Sequence, residues 1–137
     1  MSLPTQMSLH GFIATVPDLT FTRTGTARFY ARVGCEHYRK EVDGGFTKLD
    51  PTFHDLVLFE ATAERAYARF RKGDSFVASG YIHQYEVAKD DTTVVREEFV
   101  ARRIGHDTAR TPYDVQRRRV TSPDQVADQA PQPAVGL

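Results

Sequence analysis

Residues 61–72 read ATAERAYARFRK, and the organisation of the whole chain turns on them. Ala63, Ala66, Tyr67 and Phe70 fall at i, i+3, i+4 and i+7, the spacing of one buried helical stripe. Arg69, Arg71 and Lys72 crowd the last turn, where the helix dipole favours cations, and Gly73 follows as a stop. On both sides of this segment the period drops to two. Residues 26–34, TARFYARVG, place Ala27, Phe29, Ala31 and Val33 on one face and Arg28, Tyr30 and Arg32 on the other. That strict alternation is the pattern of a half-buried strand. Residues 9–16 (LHGFIATV) form an earlier strand, ended by Pro17-Asp18, and residues 52–59 (TFHDLVLF) form a third. After the helix, residues 75–87 (SFVASGYIHQYEV) and 93–104 (TVVREEFVARRI) are β-rich, with Lys89-Asp90-Asp91-Thr92 between them as a hairpin loop.

The order is therefore three strands, one short helix and two strands, in an all-β chain. A five-stranded barrel with its helix between strands three and four is the order of the OB-fold. In the fourth strand Phe76, Ala78 and Ile82 are assigned to the core, with Val77, Ser79, Tyr81, His83 and Tyr85 opposite. In the third, Phe53, Asp55, Val57 and Phe59 share one side and His54, Leu56 and Leu58 the other. Both sides are apolar, so the period leaves open which of them faces a ligand.

With 137 residues, 40% of them hydrophobic, the chain has room for one domain and an extension. The division falls near residue 106, giving a folded domain over 1–106 and a flexible Pro/Gln/Ala-rich tail over 107–137. Within the tail, residues 121–137 read TSPDQVADQAPQPAVGL, a composition that buries too little apolar surface to order. The run Arg117-Arg118-Arg119 ahead of it reads either as an anion-binding patch or, more readily, as a solvated charge run. A single cysteine, Cys35, makes neither an intrachain disulfide nor a cysteine-based metal site. No segment has the length of a membrane span, and the expected address is the cytoplasm. Eighteen basic residues balance eighteen acidic ones, so any anion site must come from local arrangement rather than total charge.

Several stretches, in this order and spacing, resemble the bacterial single-stranded DNA-binding protein (SSB) family over about residues 8–105. They are Gly11-Phe12-Ile13 with Pro17-Asp18-Leu19, and Phe21-Thr22-Arg23-Thr24-Gly25-Thr26-Ala27, similar to the family's F-T-x-[ST]-G-x-A. There follow residues 53–59 (FHDLVLF), Ala63-Glu64, Arg71-Lys72-Gly73-Asp74, Gly80-Tyr81-Ile82 and residues 98–105 (EFVARRIG). The resemblance implies an OB-fold that coats single strands without sequence preference, in replication, recombination or repair, without catalysis and as a homotetramer. It places stacking aromatics at Phe53 and Phe59 in the third strand and at Tyr38 after the second. The fourth would fall on Val87, with Tyr85 two residues earlier on the same face as its substitute. Family members usually end in an acidic tip closing with Pro-Phe that recruits other proteins. This chain ends Pro133-Ala134-Val135-Gly136-Leu137, which argues against recruitment through the C-terminus and suggests a secondary or mobile-element paralogue.

The residues support the same chemistry independently. Holding a single strand takes flat apolar faces for bases and cations for phosphates. The outward faces of strands two and four offer Tyr30, Tyr81 and Tyr85 with Arg28 and Arg32. Residues 35–51 (CEHYRKEVDGGFTKLDP) read as a long polar connection carrying Tyr38 and Phe46 among Arg39, Lys40 and Lys48, the composition of a strand-gripping loop. Each stacked base is worth about 1–3 kcal/mol, so two or three stacks supply most of a micromolar affinity, about 8 kcal/mol. Catalysis finds no support. His54-Asp55 lies mid-strand, where neighbours point to opposite faces, and no serine or cysteine sits in a nucleophile elbow. No metal, cofactor or enzymatic activity is expected. The alternatives are an SSB-like interaction module that has lost DNA affinity and an OB-fold that prefers RNA.

Overall fold

The computed structural model describes residues 2–118, so the tail reading over 121–137 and Arg119 of the arginine run lie outside the described residues. Six strands and one helix occur in the order β1 (Met7–Ile13), β2 (Asp18–Phe21), β3 (Ala27–Lys40), β4 (Phe46–Phe59), α1 (Glu60–Arg69), β5 (Ser75–Lys89) and β6 (Thr92–His106). Five of the strands close a barrel. β1 pairs antiparallel with β5 along Met7–Phe12 and transfers to β3 at Phe12 and Ile13. β3 continues to β4, β4 runs parallel to β6 at Leu56 and Val57, and β6 returns to β5. The short β2 prolongs the path of β1 along the same edge of β3, with residues 14–17 standing opposite only 31–32.

Alternation explains the interior. Ile13, Phe29, Val33, Leu56, Leu58 and Phe76 are fully buried, and each contributes about 1.5–3 kcal/mol by leaving water. α1 closes one end of the barrel through Ala63 and Ala66, with Phe70 just beyond its last turn. The turns follow residue chemistry: Gly25 takes φ 87 between β2 and β3, and Asp90 and Asp91 take φ 47 and 66 between β5 and β6. Two successive positive φ values make the tight turn that matches strand twist.

Four expectations need correction. Residues 35–51 are not a loop: β3 and β4 extend past the barrel as a two-stranded arm, paired from His37–Leu49 to Lys40–Phe46 around a turn at 41–45. An irregularity between Cys35 and His37 lies opposite Asp50 and Pro51, where proline supplies no ladder donor. Ile82, assigned to the core, is 46% exposed, because β1 pairs with β5 only as far as Met7–Gly80 and no longer flanks it there. The helix stops at Arg69, so Arg71 and Lys72 lie past its last turn, and Gly73 with φ 96 serves the turn into β5 instead. Tyr67, placed in the buried stripe, points outward.

Candidate nucleic-acid interface

The outer face of the barrel across β3, β4, β6 and β5 brings most of the expected aromatics together. Strand register sets Tyr30 beside Val57, Val57 beside Val100 and Val100 beside Tyr81, one continuous row. Directly paired residues point to the same side, so all four belong to the outer face. Val57 and Val100 are nonetheless buried there, in the middle of the row. Along β4, Phe53 and Phe59 stand on either side of Val57, 45% and 36% exposed. The register thus settles what periodicity left open: Leu56 and Leu58 face the core, and Phe53 and Phe59 face outward.

Phe12 lies beside them, outside the set of aromatics to which the sequence points. Its ring lies edge-on to Phe53, centroids 6.3 Å apart. It covers Gly34, where a β-carbon would come within 2.3 Å of the ring. The same ring borders a groove shared with Tyr38, His10, Glu36 and Arg110. The signal was present in the alternation of β1, which turns Leu9, Gly11 and Ile13 inward and leaves Phe12 out of phase with the core. Tyr38 itself rises on the outer side of the β3–β4 arm, half exposed, its hydroxyl 3.3 Å from Glu36. Tyr85 stands farther along the β5–β6 arm, stacked against His83 at 5.7 Å.

The cations read differently from expectation, because carboxylates hold most of them. Arg32 meets Asp55 at 2.9 Å, and Arg28 meets Glu98 at 3.7 Å while lying 5.6 Å from the centroid of the Tyr30 ring. Lys48 meets Glu36 at 3.2 Å and Arg39 meets Glu41 at 3.1 Å. Arg39 also follows Tyr38 directly in β3, so the two point to opposite sides of the arm. Lys40, paired across the arm with Phe46, shares the side of Tyr38 and forms no ion pair among the described residues.

Asp55 is the organiser of the outer face. It accepts hydrogen bonds from the Tyr30 hydroxyl at 2.8 Å and from Arg32 at 2.9 Å. Burial, then the hydrogen bond to Asp55, pushes the Tyr30 phenol above its ordinary range, so it remains a neutral donor. The hydrogen bond and charge of Lys48 hold Glu36 below the usual carboxylate range, and burial raises the Cys35 thiol. His83, half exposed, meets Glu98 at 3.0 Å.

The geometry therefore gathers Phe53, Phe59, Tyr30, Tyr81, Arg28 and Arg32 on the barrel. It adds Tyr38, Lys40 and Lys48 on one arm and Tyr85 on the other, and it sets Arg39 apart. The fold is shared with solved structures. The small single-stranded DNA-binding protein from Streptomyces coelicolor aligns with TM-score 0.64 and 19% identity, over 77% of this chain and 98% of that one. A deletion variant of the single-stranded DNA binding protein from Thermus aquaticus aligns with TM-score 0.63 and 20% identity, over 75% of this chain and 50% of that one. No curated protein sequence matches this chain. Residues 4–107 match the Single-strand binding protein family, and with that span the chain belongs to the family.

Proposed function

We propose that the protein coats single-stranded DNA without reading its sequence, stacking bases on the outer barrel face in support of replication, recombination or repair. Binding of single strands comes with the family. What supports stacking as the principal term is the continuous outer face on which Phe53, Phe59 and Tyr81 stay exposed, with Tyr38 above them. Every base offers a π-face, so rings without a hydrogen-bonding code bind all sequences alike. The protein acts by binding rather than by turnover, in the cytoplasm. Among the described residues no helix is long and apolar enough to cross a membrane.

The test is an oligo(dT) titration at rising salt, followed by tyrosine emission, since the chain has no tryptophan. Binding that weakens with salt and is equal for oligo(dT) and mixed sequence is the expected result. No affinity even in dilute buffer would sink the reading and leave the interaction module. Tighter binding of oligo(U) would point to a reader of the 2′-hydroxyl.

The working unit is a homotetramer, as in the family the sequence resembles. Apolar side chains left exposed on β1 and on the β5–β6 arm, among them Met7, Ile82 and Val95, supply surface for contacts between copies. Light scattering at micromolar concentration should give the mass of four chains; a monomer mass of 15.5 kDa would refute it.

A further inference from the structure

We propose that the groove between α1 and β6 is a phosphodiester channel that carries the strand off the barrel face; this rests on the reading of the protein as a single-strand binder. The groove has a volume of about 410 Å³. Arg65 and Arg69 line it from α1 and Arg102 and Arg103 from β6, with Ala66 and Phe70 between them. The two helix arginines are four residues apart and share one face. The two strand arginines are consecutive and would ordinarily point apart. A β-bulge prevents this: Ser79 pairs with Arg103 and Gly80 with Ala101, leaving Arg102 as the extra residue.

No carboxylate lines the groove, and among the described residues none of the four guanidiniums lies in an ion pair. In a chain with zero net charge, this is positive potential concentrated in one concavity, where four like charges repel one another until an anion enters. The contrast with the outer face selects the ligand. There Arg28, Arg32 and Lys48 are already engaged by Glu98, Asp55 and Glu36, so that face stacks bases but has few cations left for phosphates. Arg102 joins the two regions, since its guanidinium lies 5.3 Å from the centroid of the Tyr81 ring while its side chain borders the groove. A strand stacked at Tyr81 therefore meets the arginine groove next, and a phosphate backbone fits that continuity better than an acidic peptide.

The test compares wild type with Arg65→Gln/Arg69→Gln/Arg103→Gln, which spares the Arg102–Tyr81 contact. Two oligo(dT) lengths, about five and about thirty nucleotides, separate the outer face from the full path. With the long strand, the slope of log affinity against log salt should become shallower by about 2, at about 0.7 for each phosphate no longer neutralised. The short strand should bind as before, and the corresponding triple lysine variant should restore the slope. An unchanged long-strand slope in a folded variant overturns the channel. Loss of binding to a polyglutamate peptide in that same variant, with the long-strand slope unchanged, would assign the groove to an acidic protein partner. Failure of wild type to bind either oligonucleotide removes the function reading as well, and so is distinguishable from failure of the groove alone.

Discussion

Gly80→Ala should lower the melting temperature by about 12–24 °C, the equivalent of about 3 kcal/mol in a domain of this size. The cause is the β5–β6 bulge. A β-carbon at Gly80 would stand 2.0 Å from the Val100 carbonyl oxygen and 2.9 Å from the Ala101 Cα. Both are backbone atoms in the strand that carries the bulge, so no side chain can swing away and the ladder itself must move. Two other glycines calibrate the effect. At Gly25 an added β-carbon meets nothing within 4 Å, and the cost is only the strain of φ 87, about 1 kcal/mol. At Gly34 its three nearest atoms all belong to the Phe12 ring, a side chain that can rotate aside, so Gly34→Ala should disturb the ring shelf more than the fold. Thermal unfolding followed by circular dichroism ranks the three. If Gly80→Ala melts with Gly25→Ala, the close approach at the bulge does not limit stability.

The bulge also shows which parts of the molecule could be read from sequence. Strands with one buried face announced themselves: Ala27, Phe29, Ala31 and Val33 are all at or below 3% exposure, in the phase that alternation gave. The arms did not. Residues 36–40 and 46–50 project beyond the barrel with no core beneath them, so nothing selects an apolar residue at every second position. Their pairing is carried by backbone hydrogen bonds, to which composition is blind. Ile82 failed for the same reason, since period two continued after the core had ended. Charge was legible as a count but not as a network. Arg32 and its partner Asp55 are 23 positions apart, and only the β3–β4 register makes them neighbours. Likewise strand period alone sets the consecutive Arg102 and Arg103 on opposite faces, and only the extra residue at the bulge places both beside α1.

Phe53→Ala/Tyr38→Ala should weaken oligo(dT) binding by about 2–6 kcal/mol, between about thirtyfold and twenty-thousandfold, with the fold intact. Neither side chain belongs to the core: Phe53 is 45% and Tyr38 52% exposed. Circular dichroism and the melting temperature should therefore stay close to wild type. The single variants should each lose about 1–3 kcal/mol. Phe12 makes their sum informative, because it touches Phe53 edge-on and shares a groove with Tyr38. If Phe12 merely props each ring, the two losses add. If the three rings hold successive bases as one shelf, the double variant loses less than the sum, since the first truncation already loosens the second stack. The salt dependence separates this site from the arginine groove. Removing rings takes away no cation, so affinity should drop at every salt concentration while the slope keeps its wild-type value. A double variant that binds normally would mean that bases lie elsewhere. One whose slope collapses would mean that the rings act by holding the strand against the arginines, rather than by stacking in their own right.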